Sequence, residues 1–444
     1  MSRTVALRRV LPDEVPMHAR SEIDTKTLAE ASRIVEDVEK RREEAVLEYA
    51  SRFGDMDTGD RPLLIEGDEL RAAPDKVSRE VREVLERTAA RIRRFAMAQR
   101  NSLRDVALNT EWGKMRQIAE PLQVAGCYAP GGRYPLPSSV LMTVIPAGVA
   151  GVGLIQVATP KVGDLMLAAA AIAGADRVLS VGGAQAIAAL AFGVAGVDGC
   201  DVIVGPGNRW VTAAKQRVSH RVRIDMPAGP SEVLVFADRS ASARLIAADM
   251  IAQAEHGSDS LAVLVTTEAE LIEQVERALA EQVLDLPTAD MVRRSLRRSF
   301  AVPVSSIEEG IEVCRRLAPE HLEIIMQEGD RVAAKVRASG AVFIGPHTPA
   351  TLGDYGAGPN HVLPTAGSAR SESGLSPLVF MRTFTTLEVR DTESARELLD
   401  DTILLARLEG LEAHARSAIH RLPEENDSNR KNLHSMRTAG IQND

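Results

Sequence analysis

Four short stretches of this chain place polar residues within or beside apolar sequence: Gln253-Ala-Glu-His256, Glu320-His321, Asp354 followed by His361, and Glu409 followed by His414. Together they offer amide, imidazole and carboxylate ligands plus an acid/base pair. That inventory suits a catalytic zinc site, where protein ligands leave one position for substrate and the metal acts as a Lewis acid. The residues are far apart in sequence, so the site exists only if the fold gathers them.

Each stretch also has a plain structural reading. Gln253 and His256, three apart, share one face of a helix predicted over Ala243–Glu255, where a His before Gly257 is equally an ordinary helix end. Asp354 lies in a loop of Gly, Asp, Tyr and Pro, where Asp commonly forms turns, and His361 opens a strand-like His361-Val-Leu-Pro364. His414 falls in a predicted helix Leu408–His420, where a solvated position is ordinary. Glu320-His321 follows Ala318-Pro319 and reads as a first helical turn. Adjacent side chains diverge there, so one faces substrate while the other holds a water, an arrangement suited to proton removal and then hydration. Arg133, after Pro130-Gly-Gly132, is a candidate clamp for an anionic substrate or a cofactor phosphate, or else a surface cation.

Residues 24–54 and 76–105 carry the three- and four-residue apolar spacing of amphipathic helices. From Gln123 to Val204 β-branched runs (Leu154–Ala158, Arg177–Val181, Asp201–Val204) alternate with Ala-rich helices (Asp164–Ala173, Gln185–Phe192). The alternation predicts an α/β fold with a doubly wound parallel sheet. Three Gly turns follow such strands: Pro130–Gly132, Gly182-Gly183 and Gly205–Asn208. With no strict GxGxxG followed by an acid, they predict a ligand at strand carboxyl ends and no particular dinucleotide. A second α/β stretch runs from Ser231–Phe236 through strand Ser260–Val265 and helix Glu268–Glu281 to strand Gly340–Ile344. A strand Phe384–Val389, a long helix Thr392–Arg421 and a polar tail from Pro423, read as mostly disordered, complete the chain. The expected division is a helical segment 1–125, α/β domains 126–234 and 235–375, an extension 376–422 and the tail 423–444. The N-terminal segment is expected to join the first α/β domain and to pack with the second.

Bulk properties narrow the function. A net charge of -9 argues against a nucleic-acid partner, and 45% hydrophobic with 26% charged residues is ordinary globular composition. The apolar run Val140–Ala158 is broken by Pro146 and glycines, so it is read as buried α/β core, with no membrane association. Cys127, Cys200 and Cys314 are distant from one another and odd in number, with no CxxC pair, which fits a reducing cytoplasm. Met1–Arg9 lacks the apolar region of a secretory signal.

As strings, several runs resemble the histidinol dehydrogenase family: Tyr128-Ala-Pro-Gly-Gly132, Pro135-Leu-Pro-Ser-Ser-Val-Leu-Met142, Val181-Gly-Gly-Ala-Gln185 and Val204-Gly-Pro-Gly-Asn208. Ile224–Val233, Gln253–Gly257, Pro319-Glu-His-Leu322, Gly353-Asp-Tyr355, Gly358–Thr365 and Glu409-Gly-Leu-Glu-Ala-His414 continue the match in order over roughly residues 25–422. The resemblance implies two Rossmann-like domains with N-terminal helices and a C-terminal helical extension. It implies a zinc- and NAD-dependent enzyme that oxidises an alcohol to a carboxylate through a bound aldehyde, with L-histidinol the leading substrate. It further implies that Gln253, His256, Asp354 and His414 hold zinc, the last from the other subunit of a homodimer. Glu320 and His321 would be the acid/base pair, and Tyr128, Gln185 and Asn208 would line the NAD site. Ser231, His361 and Glu409 would contact substrate together with His321 and the zinc ligands. Arg133-Tyr134 departs from the usual small or neutral residues and looks like related sulfopropanediol dehydrogenases, which implies a small anionic diol as the alternative substrate. A second departure is Ala158-Thr-Pro-Lys-Val162, where family members usually carry a longer loop.

Overall fold

Apolar strands separated by Ala-rich or amphipathic helices build two six-stranded sheets and a small third one. The computed structural model describes residues 5–16, 23–55, 62–131, 134–227 and 229–422, so Arg133 and the tail from Pro423 lie outside the described residues. Among those residues no helix is long and apolar enough to cross a membrane. The chain divides into two compact units, residues 1–102 with 121–381 and residues 103–120 with 382–444.

In chain order the first unit opens with β1 (Arg8–Arg9), α1 (Thr25–Arg41), α2 (Glu43–Arg52), β2 (Leu64–Glu66), α3 (Gly67–Arg71) and α4 (Arg79–Arg100). Strands β3 (Val106–Asn109) and β4 (Gly113–Pro121) follow, leading to β5 (Val124–Tyr128), α5 (Pro137–Ala150), β6 (Leu154–Ala158) and α6 (Asp164–Ala173). Next come β7 (Arg177–Leu179), α7 (Gly183–Phe192), β8 (Val202–Val204), α8 (Arg209–Val218) and β9 (Arg223–Ile224). The first sheet has the order β2-β7-β6-β5-β8-β9 and is parallel except for β2 against β7. Strand order reverses between β5 and β8, the point where open α/β sheets bind ligands. Helices α1, α2, α7 and α8 close one face around Ala45, Ala186, Ala188, Ile187 and Leu190. Alanine is the price of close approach here, since a Cβ on Gly126 would already stand 2.9 Å from the Cys200 sulfur.

The second sheet uses β10 (Glu232–Ala237), α9 (Ala243–Ala254), β11 (Leu261–Thr266), α10 (Ala269–Gln282), α11 (Ala289–Leu296), β12 (Phe300–Pro303), α12 (Ile307–Leu317), β13 (His321–Ile325), α13 (Gly329–Ala333), β14 (Ala341–Ile344) and α14 (Ala350–Asp354). Its order is β1-β12-β11-β10-β13-β14, parallel throughout. Burial on both faces explains its continuous apolar strands: Ile246, Met250 and Leu279 pack on one side, Phe236, Val313 and Ile324 on the other. The α/β, doubly wound expectation therefore holds for both sheets. The boundary read between 234 and 235 falls inside β10, which belongs wholly to the second sheet.

In the second unit β15 (Met381–Val389) joins β4 and β3 in a three-stranded sheet. Helices α15 (Arg396–Leu408) and α16 (Glu412–Ile419) pack through Ile403, Ala406, Ala415 and Ala418. The long helix expected over Thr392–Arg421 is thus two helices, because Gly410 takes φ +77° and breaks the turn.

Three further expectations change. Glu320-His321 does not start a helix: Ala318 ends α12 in the left-handed region, and His321 opens β13, whose apolar run pairs on both sides with β10 and β14. Strand pairing outweighs the local preference of Pro319. Asp354 is the last residue of the short helix α14 rather than a loop residue. His361–Pro364 forms no strand; the amide of Val362 is taken by the Asn360 side chain at 2.9 Å.

Candidate active site

The register Val233↔His321 brings the amino ends of β10 and β13 side by side, which sets Glu232 against Glu320. The two glutamates exchange bonds: the Glu232 amide donates to Glu320 Oε2 at 2.9 Å and the Glu320 amide to Glu232 Oε1 at 3.2 Å. The Ala366 amide donates to the same Oε1 at 2.9 Å, and the Gly367 amide also bonds the Glu232 carboxylate. Burial pushes the Glu232 carboxyl up to about 7 against the pull of those amides. Glu320 is raised well above the usual carboxylate range by burial, with Glu232 and Asp354 adding charge repulsion and the Ser231 side chain bonding it.

His321 is buried, and its Nδ1 stands 3.1 Å from the Glu232 carbonyl oxygen. A carbonyl only accepts, so Nδ1 carries the hydrogen and Nε2 keeps its lone pair. Nε2 points at Asp354 Oδ1, 3.6 Å away. Burial lowers the imidazole's pKa despite Asp354, so it is neutral near pH 7. His361 repeats the arrangement. Its Nδ1 lies 2.8 Å from the Asp354 carbonyl and its Nε2 3.4 Å from the Ser139 hydroxyl at the start of α5.

Asp354 is placed from both sides. The first amide of α14, on Ala350, donates to Glu323 Oε1 at 2.6 Å, and Glu323 in turn hydrogen-bonds Asp249 of α9. Beyond Asp354, Arg91 of α4 donates to the Gly356 carbonyl at 2.6 Å, and a Cβ on Gly356 would lie 2.4 Å from Thr88. Along α9, Gln253 is four residues past Asp249 and so faces the same way. Gln253 is 5% exposed, and its side-chain nitrogen has no partner among the described residues. His256, just past the end of α9, acts electrostatically on both His321 and His361. Gln253, His256 and Asp354 thus supply an orphaned buried amide, an imidazole and a carboxylate, a donor set that fits zinc. Among the described residues no three His, Cys, Asp or Glu side chains by themselves form a metal-holding group.

Glu409 and His414 belong to the second unit, Glu409 ending α15 and His414 on α16, and both are exposed. Arg133 lies outside the described residues. Ser231 opens onto β10 beside Glu320.

The residues expected at NAD sit at carboxyl ends of the first sheet. The Tyr128 hydroxyl accepts from the Gly183 amide at 3.2 Å, and burial raises its pKa to about 12. Gln185 donates to Asp55 at 3.2 Å while its own Oε1 has no partner. Asn208 caps α8, accepting from the Trp210 and Val211 amides at 3.1 Å. Beneath the Gly205 turn a buried ion pair, Lys215–Asp225, grips one residue: Lys215 donates to the Gly205 carbonyl and the Gly205 amide to Asp225 at 2.7 Å. Sequence reasoning missed Glu232, Asp249, Glu323, Asp55 and this ion pair. The available signal was an acid or a lysine inside an apolar element, at Glu323 in His321–Ile325 and at Lys215 in Arg209–Val218.

Residues 18–422 match the family profile described as Histidinol dehydrogenase. The chain is 40% identical over 407 residues to the histidinol dehydrogenase of Acinetobacter baylyi, covering 90% of this chain and 94% of that protein. It is 46% identical over 349 residues to that of Thermus thermophilus, covering 78% and 84%. The crystal structure of histidinol dehydrogenase from Elizabethkingia anophelis superposes with a TM-score of 0.86 at 31% identity, covering 97% of this chain and 99% of that one. The buried acid/base cluster therefore stands in the setting of an alcohol and aldehyde dehydrogenase, and the chain belongs to the histidinol dehydrogenase family.

Proposed function

We propose that this protein oxidises L-histidinol to L-histidine in two hydride transfers to NAD, with the intermediate aldehyde held in the site. The balance is one alcohol, one water and two NAD+ giving one carboxylate, two NADH and three protons. The observation that carries the reading is the neutral, buried His321, whose Nδ1 hydrogen is held by the Glu232 carbonyl on the side of Glu320, leaving the lone pair on Nε2. His321 takes the hydroxyl proton as the first hydride leaves. Glu320, once deprotonated, takes a proton from the water that adds to the aldehyde, and the second hydride leaves from the hydrate. Ser231, His361 and Glu409 orient substrate. Gln253, His256, Asp354 and the partner subunit's His414 would hold zinc, which when bound supplies Lewis-acid polarisation of the substrate oxygen.

Tyr128, Gln185 and Asn208 would line NAD at the strand-order reversal of the first sheet, where Gly205 lets two strand ends close up: a Cβ there would stand 2.0 Å from the Tyr128 carbonyl. A homodimer is supported by the apolar face of the second unit, where Leu404, Leu405, Leu408 and Leu387 are all exposed. Small-molecule chemistry in a cytoplasmic enzyme without nucleic-acid or membrane partners completes the reading.

The test is NADH formed per substrate consumed by zinc-loaded protein, with L-histidinol and separately with 2,3-dihydroxypropane-1-sulfonate. Two NADH per histidinol is expected. Turnover of the sulfonate alone would overturn the substrate and make Arg133 the residue to replace.

A further inference from the structure

We propose that Glu232, which the reaction above does not itself use, is the positioning residue for both of its halves: its main chain aims His321, and its carboxylate sets when Glu320 gives up its proton. This rests on the reading of Glu320 as the base of the hydration step.

The geometry makes Glu232 a hub. Its carbonyl fixes the hydrogen on His321 Nδ1, which keeps the lone pair on Nε2. Its amide holds Glu320 Oε2, and its side chain holds the Glu320 amide, so the two carboxyl groups cannot move apart without orphaning buried donors. The same Oε1 takes the Ala366 amide, tying β10 and β13 to the segment that follows His361. The titratable groups that face Glu320 are Glu232 from β10, Asp354 from α14 and His321 beside it on β13, 3.7 Å away. Glu232 faces Glu320 and the amides of Glu320, Ala366 and Gly367. Three amides favour the ionised form of Glu232, whereas Glu320 accepts from one amide and the Ser231 hydroxyl and meets the like charge of Glu232. Glu232 therefore ionises first, and its charge holds the proton on Glu320.

The experiment is the pH dependence of the aldehyde half-reaction (histidinal with NAD) in zinc-loaded full-length protein, for wild type, Glu232→Gln and Glu320→Gln. Glutamine keeps an oxygen for the Glu320 and Ala366 amides but removes the charge. The rising limb of the rate is expected to move to lower pH by on the order of one unit in Glu232→Gln. A limb that stays in place or moves upward in the folded variant overturns the role of Glu232. Glu320→Gln separates the two readings: it is expected to abolish the limb, and a limb that survives it sinks the base assignment whatever Glu232→Gln does. If Glu232→Gln does not fold, infrared titration of the wild-type protein decides. Apart from the bands of the Asp249–Glu323 pair, identified by their loss in Glu323→Gln and Asp249→Asn, two buried protonated carboxyl bands should disappear one after the other, the later one missing in Glu320→Gln. A single common step, or a later band that persists in Glu320→Gln, overturns the proposal.

Discussion

The two large sheets present opposite ends to chemistry. In the first, the Gly turns and Tyr128, Gln185 and Asn208 gather at carboxyl ends of strands, and the surface they make is mostly backbone. In the second, Glu232, Glu320 and His321 gather at amino ends, and the surface is made of titratable side chains. A carboxyl edge followed by helix starts offers N–H groups and room, which suits a large ligand held through its phosphates and sugars. An amino edge has no helix start behind each strand, so the second sheet relies on paired carboxyls and an imidazole held by strand and loop main chain.

If that division of labour is right, damage at each edge should be distinguishable. The largest effect is expected from His321→Ala, a loss of about 10²–10⁴ in the alcohol half-reaction with zinc content and NAD affinity retained; a parallel loss of zinc would mean that the two roles are not separate. Lys215→Met strands the Asp225 charge under the Gly205 turn. It is expected to cost about 3–5 kcal/mol of stability, measured by denaturant unfolding, and to weaken NAD while leaving zinc affinity alone. Asp354→Ala and His414→Ala should each lower zinc content by metal analysis, and full occupancy in either would remove it from the ligand set. Asn208→Ala should cost only about 1 kcal/mol as a lost cap, seen as a small drop in melting temperature, with KM for NAD rising and KM for the alcohol unchanged.

A pH test sharpens the same contrast. On β13 Glu323 is pushed up to about 8 by burial and by the charge and hydrogen bond of Asp249, whereas burial raises Asp249 of α9 to about 6 against the pull of its hydrogen bond with Glu323. Raised carboxyl pKa values mean that the folded state binds protons more tightly than the unfolded one. Stability from this pair is therefore full below the ordinary carboxylate range and lost as pH rises through about 6 to 8. Glu323→Gln should flatten the fall in unfolding midpoint over that window; an equally steep fall would place its origin elsewhere.

What the sequence made legible follows from how local each signal is. Helices α6, α7 and α9 and the Gly turns depend on spacing and on one residue type, and they stand within a few residues of expectation. Glu320-His321 was misplaced on a helix because Pro319 is a local cue, whereas the register against Glu232 is made by strands from distant parts of the chain. Asp249 and Glu323 went unnoticed for the same reason: an acid in an apolar segment looks like a solvated face until its partner is known. The three-stranded sheet of the second unit is only half legible because β3 is exposed throughout and β4 is half-buried along its length, neither with a clean alternation, leaving only β15 recognisable.

The edge strand β1 also governs the order in which the molecule can be made. Arg8 pairs with Phe300, so the second sheet cannot gain this strand until about two thirds of these 444 residues have been synthesised, whereas the first sheet, running from Leu64 to Ile224, can close long before. At about 5–20 residues per second, the first residues wait some tens of seconds for their partner. Until then β1 of a nascent chain is a strand without its edge, and a chaperone or a neighbouring ribosome's product has that long to find it first.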